Sequence, residues 1–212
     1  MPASKRRGIN KVYWNLTMTP PKVAEGGTKP DYSGFSAPMV MPGTYTVRLK
    51  LGDQTYTTPL TVVHDASNTG FTASDRALQY NTAMDLYRLH ERLAKLVSNI
   101  NDDQKKIKAK QETVKEGKEG KALTGHHTAL EGLRTTLLAS TQKSVFADER
   151  KLREEISEVY GAVVNQEAAP SNLQVQRVKG LQQKVAEAEA AYEKLRKEWS
   201  GKSGISGQQR VS

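Results

Sequence analysis

Apolar and polar residues alternate strictly over the stretch 42–51, which opens with a Pro-Gly pair. The apolar positions are Tyr45, Val47, Leu49 and Leu51. A period of two places these four side chains on one face of a β-strand and the polar ones on the other. Gly52 and Asp53 suit a turn, and 54–63 runs back with further apolar residues. The pattern predicts a β-hairpin.

A first strand is predicted over 8–16, where Val12, Trp14 and Leu16 alternate with polar residues. We expect Trp14 and Leu16 to join the apolar face of the hairpin in a core, because a strand tryptophan has a large area to bury. The segment 19–41 is rich in Pro, Gly and Ser and predicts a long loop, with a short extended piece at 37–40.

Three strands are too few to close a β-sandwich, so the β region is predicted to be a partial unit that lacks strands on its N-terminal side. Its open edge would lie along Val12, Trp14 and Leu16. An open edge can accept a strand from another protein by β-augmentation. We therefore identify these three residues as a candidate interaction edge.

From Asp75 the apolar period changes to three and four, which is typical of a long amphipathic helix. Thr72 or Ser74 can cap this helix, and Asp75 suits its first turn. The helix is predicted to continue to about residue 115, and the charged, Gly-containing stretch 115–121 is predicted to be an exposed loop. The stripe consists of six residues: Leu86, Leu89, Leu93, Leu96, Ile100 and Ile107.

Three further helices are predicted, at 122–141, at 146–165 and from Ser171 to about residue 200. Pro170 separates the last two, because proline cannot continue a helix. Short connections favour antiparallel neighbours, so we expect a bundle, with an intermolecular coiled coil as the alternative. In the bundle, Tyr192 and Trp199 would pack the last helix on the first.

The predicted fold class is therefore α+β: a partial immunoglobulin-like antiparallel β unit over 1–68, and an antiparallel bundle of about four helices over 72–200. The Gly-, Ser- and Gln-containing segment 201–212 is predicted to be a disordered tail.

The charge of the chain changes this picture little. The formal net charge is +9, but residues 69–212 mix 24 basic with 19 acidic residues. Mixed charge is typical of solvated helix faces rather than of nucleic-acid binding. The absence of cysteine excludes disulfides and thiolate metal sites. No stretch has the length of a membrane-spanning helix, and no apolar run follows Lys5-Arg6-Arg7, so no signal peptide is expected.

No residue pattern predicts a catalytic, cofactor-binding or metal-binding site, and no cofactor is expected. Adjacent His126 and His127 point about 100° apart on a helix and do not readily share one ion. The chain lacks a glycine-rich phosphate loop. The lysines of 105–110 have no interleaved aromatic residues and are interpreted as a solvated helix end.

Three segments together resemble the C-terminal region of bacterial sortilin-like (VPS10-type) β-propeller proteins, also described as BNR-repeat glycosyl hydrolase-like proteins. They are Gly8-x-Asn10-x-x-x-Trp14-Asn15-Leu16, Pro42-Gly43-x-Tyr45-x-Val47, and Ala169-Pro170-Ser171. The resemblance implies that the first two belong to an immunoglobulin-like module similar to that of the flagellar hook-capping protein. It also implies a secreted or periplasmic parent protein.

The chain also departs from that family. It contains no Asp-box repeat, so the propellers and any glycosidase role of theirs are not assigned to it, and no catalytic residue is carried over. Asn15 stands where Asp is common, and Ser171 where Thr is common.

We therefore expect a non-catalytic interaction or scaffold module whose partner is a protein, either a propeller domain or a strand donor. Two alternatives remain open: a glycoside hydrolase with two carboxylates across a cleft, or a basic coiled-coil protein that binds nucleic acid. The compartment and the oligomeric state are not predicted.

Overall fold

The computed structural model describes residues 6–28, 31–114, 117–140 and 149–203. A two-stranded antiparallel sheet, β1 (Gly43–Leu51) and β2 (Gln54–Val62), precedes four helices. The helices are α1 (Ala73–Thr113), α2 (Lys118–Leu137), α3 (Leu152–Val164) and α4 (Asn172–Ser203). A short 3-10 helix, Tyr32–Phe35, interrupts the N-terminal loop. The α+β prediction is confirmed.

The hairpin has the predicted strands and turn. Tyr45 pairs with Leu60 and Leu49 with Tyr56, so apolar residues lie opposite one another in the antiparallel register. Opposed residues share a face of the sheet, which places the apolar side chains of both strands together. Gly52 turns the chain at a φ of 58°, a left-handed conformation that glycine adopts without strain.

The predicted first strand is not formed, and the sheet of the described residues has only two strands. Residues 8–16 are without regular structure, and the chain meets the predicted extended piece only at one bridge, Thr17 to Met39. Hydrogen bonds from Met18 N to Pro38 O and from Val40 N to Leu16 O flank this bridge. Leu16 has a φ of 57°, which bends the chain away from an extended ladder.

Helix α1 begins where its cap predicts. The Thr72 hydroxyl accepts from the amide of Asp75 at 3.1 Å, and the Asp75 carboxylate accepts from the amide of Thr72 at 3.0 Å. This reciprocal pair is a capping box, which satisfies two amides that the helix leaves unpaired. The Thr72 hydroxyl also donates to this carboxylate at 2.7 Å, and this hydrogen bond, together with the one from the Thr72 amide, lowers the pKa of Asp75. With 41 residues, α1 is the element against which α2, α3 and α4 all pack.

The helices bury their apolar stripes against one another, which confirms the intramolecular bundle. All six residues of the predicted α1 stripe are buried, and Tyr192 and Val185 of α4 are also buried. Burial of each such leucine or valine contributes roughly 1.5–3 kcal/mol relative to an exposed side chain. Trp199 packs at the margin of this core, and its ring stacks on that of His126 of α2.

Helix boundaries differ from the predictions where local caps decide them. Helix α2 starts at Lys118, inside the predicted loop, after Gly117 adopts a φ of 98°. Helix α3 starts at Leu152 rather than 146, because the Glu154 carboxylate accepts from the amide of Lys151 and fixes the first turn there. The predicted end of α2 at residue 141 and the predicted start of α3 at residue 146 lie outside the described residues. Helix α4 continues to Ser203, and the part of the predicted tail after Ser203 also lies outside the described residues.

A chain of hydrogen bonds fixes the loop that leads into the hairpin. The Arg76 guanidinium donates to the carbonyls of Met39 and Val40, at 2.7 and 3.2 Å, and to the side-chain oxygen of Gln79. Gln79 in turn donates to the carbonyl of Val163 at 3.0 Å, at the end of α3. The base of the hairpin is therefore attached to α1 and α3. Beyond this base, strands β1 and β2 do not pack against any of the described helices.

Candidate interaction surface

The apolar face of the hairpin is exposed to solvent. Its larger side chains beyond the base are between 39% and 66% exposed. They are Val47, Leu49 and Leu51 of β1 and Tyr56 and Leu60 of β2. We call these five residues the hairpin face. The prediction that Val47 and Leu49 are core residues is wrong, because the helices bury their stripes against one another and none of them covers the sheet.

The opposite face of the same hairpin is polar. It carries threonines together with Arg48 and Lys50, and all of these side chains are exposed. The hairpin is thus amphipathic, yet both of its faces are in water. A two-stranded hairpin is marginally stable without a third strand or a packing surface. A contiguous exposed apolar patch of this kind usually marks a site of interaction.

Trp14 contacts the base of this apolar surface. Its ring packs edge-on against the ring of Tyr45, with centroids 5.5 Å apart and planes at 69°. The indole N–H donates to the carbonyl of Thr17 at 2.9 Å, and the Tyr45 hydroxyl donates to the carbonyl of Met41. Both rings are half-buried, so this contact closes one end of the apolar surface and leaves the hairpin face uncovered.

The three residues of the predicted interaction edge lie in this N-terminal segment rather than on a strand. Val12 is exposed, whereas Trp14 and Leu16 are half-buried. Of the three, Trp14 reaches the hairpin through Tyr45. Ile9 and Tyr13, which the sequence did not single out, are among the most exposed apolar residues of the described chain.

The free edges of the sheet are the outer edges of β1 and β2, since neither strand has a second neighbour among the described residues. The alternation in the sequence predicts the apolar and the polar face of the hairpin. It does not predict that the described helices leave both faces uncovered, because this depends on the path of the chain between Val62 and Ala73.

The glutamates of α3 are held by ion pairs. Glu154 accepts from Arg153 at 2.9 Å and from the amides of Ala139 and Lys151. Glu158 lies 3.1 Å from Arg150 and 3.6 Å from Arg177. General acid catalysis by a glycosidase requires a carboxyl whose pKa is raised. Carboxyls with shifted pKa values in the described chain, such as Glu131 beside Arg134, are shifted downward.

A buried histidine of α1 lies close to a buried carboxylate of the N-terminal loop, a pair that no sequence pattern predicts. His90 Nδ1 is 4.0 Å from Asp31 Oδ2, and neither atom has a hydrogen-bond partner among the described residues. The His90 ring packs edge-on against Tyr160 at 5.2 Å. Burial lowers the pKa of His90 below its ordinary value, with the Arg153 charge acting in the same direction and Asp31 opposing it. The two residues are 59 positions apart in the chain, so no local pattern links them.

No group of three or more potential metal ligands is found among the described residues. His126 and His127 are each half-buried on α2. Within the same part of the chain, no helix is both long enough and apolar enough to cross a membrane.

Comparison of the chain with protein-family models, with curated proteins and with solved structures finds no match.

Proposed function

We propose that this chain is a non-catalytic interaction or scaffold module whose hairpin docks on a β-sheet of a partner protein. The observation that carries the proposal is the hairpin face, an apolar sheet surface that no element of the described chain covers. Its partner would cover this face and add strands to the free edges. In that role the bundle supplies a rigid support, because hydrogen bonds from Arg76 attach the hairpin base to it.

The dimensions of the hairpin favour a larger β partner over a second copy of the chain. Nine residues at about 3.4 Å each give a face about 30 Å long, and two strands make it about 10 Å wide. Two copies packed face to face would bury only about 600 Å², below the roughly 1,000 Å² expected of a specific interface. Strand addition to the edges, together with cover of the face, supplies the missing area.

In its finer form, the proposal places this module beside the propeller of a sortilin-like or glycosyl hydrolase-like protein. The contact of Trp14 with Tyr45 supports this form, because it joins the first two segments of the resemblance in one unit. Those segments are 8–16 and 42–47. The partner strands would then complete an immunoglobulin-like sandwich, with Trp14 at one end of the shared core.

Site-specific photo-crosslinking tests the proposal. A benzoylphenylalanine would replace Leu49 on the hairpin face or, as a matched control, Thr57 on the polar face of the same hairpin. The protein would be irradiated in the cells that produce it, and the crosslinked peptides identified by mass spectrometry. We expect position 49 to label a β-strand segment of another protein, and position 57 to label far less of it.

The substitution Val47→Lys provides the specificity control, because it places a charge in the middle of the hairpin face. It should abolish the crosslink from position 49. Labelling of a second copy of this chain, equal labelling from positions 49 and 57, or labelling that persists in Val47→Lys would overturn the proposal.

A further inference from the structure

A groove at the far end of the bundle brings basic and aromatic side chains together. It has a volume of about 470 Å³ and lies where the C-terminal halves of α1 and α4 meet α2. Lys106 and Lys110 line it from α1, and Arg196 and Lys197 from α4. The sequence separates Lys106 and Lys110 from any aromatic residue, but the fold places Trp199 of α4 and His126 of α2 beside them.

The two rings that line this groove lie against each other. The centroids of His126 and Trp199 are 4.7 Å apart and their planes differ by 10°, so they are stacked. Trp199 also packs against the hydrophobic core, as does Ile107, which is 3% exposed. The rings are therefore held in place before any ligand binds, which reduces the loss of side-chain entropy on binding.

The positive charge of the groove is only partly compensated. Asp103 pairs with Lys106 at 3.5 Å and accepts from the Tyr192 hydroxyl, and Glu193 pairs with Arg196 at 3.2 Å. Among the described residues, no acidic group lies within ion-pair distance of Lys110 or Lys197. Within the described part of the chain, the groove therefore has two cations without an acidic partner, one on each of its two main walls.

We propose that this groove binds a nucleotide unit, with its phosphate on Lys110 and Lys197 and its base against the stacked rings of Trp199 and His126. Lysine ammonium groups bind phosphate as point charges, and aromatic side chains stack on bases of any sequence. The volume lies within the range of small-ligand pockets, about 300–1,000 Å³. A free nucleotide and one nucleotide of a single strand present this same chemistry.

Fluorescence of Trp199 reports directly on the site. The chain has two tryptophans, so the full chain with Trp14→Phe retains Trp199 alone. This protein would be titrated with ADP, with hexathymidylate and with inorganic phosphate, each up to about 5 mM. Stacking of a base on the indole should quench the emission, and the binding should weaken as salt increases.

A charge-matched pair of variants separates the groove from general attraction to a basic protein. Lys110→Gln/Lys197→Gln should weaken binding by about tenfold or more. Lys22→Gln/Lys179→Gln removes the same charge from exposed positions outside the groove and should leave the affinity unchanged. Far-UV circular dichroism would confirm that both variants are folded.

The probes distinguish the two sources. Saturable quenching by ADP assigns the site to a free nucleotide, and quenching by hexathymidylate alone assigns it to a single strand; either supports the proposal. Inorganic phosphate binding as tightly as both nucleotide probes would show that the rings take no part. That result would overturn the proposal. The proposal would also be overturned if neither nucleotide probe quenched the emission, or if the two double variants bound with equal affinity.

Discussion

Arg92 of α1 and Glu189 of α4 form a bidentate ion pair across the bundle. The guanidinium donates through Nε at 3.1 Å and through Nη2 at 2.7 Å to the two carboxylate oxygens. Both side chains are more than a third exposed, so solvent screens their attraction. The neighbouring residue, Leu93, is fully buried in the core. Substitutions at these two adjacent positions of α1 therefore compare the contribution of a surface ion pair to stability with that of a buried side chain.

We predict that Arg92→Ala lowers the free energy of unfolding by at most about 1 kcal/mol, the usual limit for an exposed pair. Leu93→Ala should lower it by about 2–5 kcal/mol, because it removes buried methyl groups and leaves a cavity. Urea denaturation of both variants gives the comparison. A loss for Arg92→Ala as large as that for Leu93→Ala would show that α4 is held mainly by charge.

The buried His90 predicts a dependence of stability on acid. Its pKa is lowered to about 4 in the folded chain, against an ordinary value of 6.5. Between these values the unfolded state binds the extra proton, so the free energy of unfolding falls as the pH falls from 6.5 toward 4. The groups that face the ring are Asp31, Arg153 and Tyr160.

Replacement His90→Gln removes the titrating group, so the stability of this variant should vary less with pH across that window. The wild type should lose on the order of 1–3 kcal/mol there relative to the variant. Urea denaturation at a series of pH values measures both curves. His64→Gln, at a half-buried position between β2 and α1, serves as the control for removal of a histidine. Parallel curves for wild type and His90→Gln would rule out this linkage.

These features differ in how far the sequence predicts them. The α1 stripe is a local, periodic signal, and all six of its residues are buried as predicted. The alternation in β1 likewise predicts which side chains share a face. It does not predict what covers that face, because cover is supplied by contacts distant in the chain. The same holds for His90 with Asp31 and for Trp199 with His126, which the path of the chain brings together.

Because the hairpin face is exposed, we predict that a charged substitution there has little effect on the stability of the chain. Because Leu49 is half-exposed and no helix covers it, Leu49→Lys should change the free energy of unfolding of the chain by no more than about 0.5 kcal/mol. The same substitution should reduce the binding of a neutral apolar dye such as Nile red. Thermal denaturation and dye titration provide the two readouts. If instead the variant loses several kcal/mol, Leu49 is buried in solution and the docking proposal loses its basis.

Neighbouring glycines test how the N-terminal loop is attached to the bundle. Gly26 and Gly27 have positive φ angles of 95° and 83°, at which any side chain is strained. A Cβ on Gly27 would lie 2.8 Å from the carbonyl oxygen of Ala139 and 2.9 Å from the Arg153 guanidinium. The same atom on Gly26 would meet nothing within 4 Å. The two positions share the backbone strain but differ in this contact.

Gly26→Ala should therefore cost about 1 kcal/mol, the strain of the left-handed conformation alone. Gly27→Ala should cost clearly more, in total about 2–4 kcal/mol, because it must also displace a backbone carbonyl that accepts from Thr28 N. Arg153 would move as well, and its hydrogen bonds to the carbonyls of Ala24 and Gly26 would weaken. Urea denaturation measures both variants. An equal decrease in the free energy of unfolding for the two variants would mean that the loop does not contact the Ala139 carbonyl in solution.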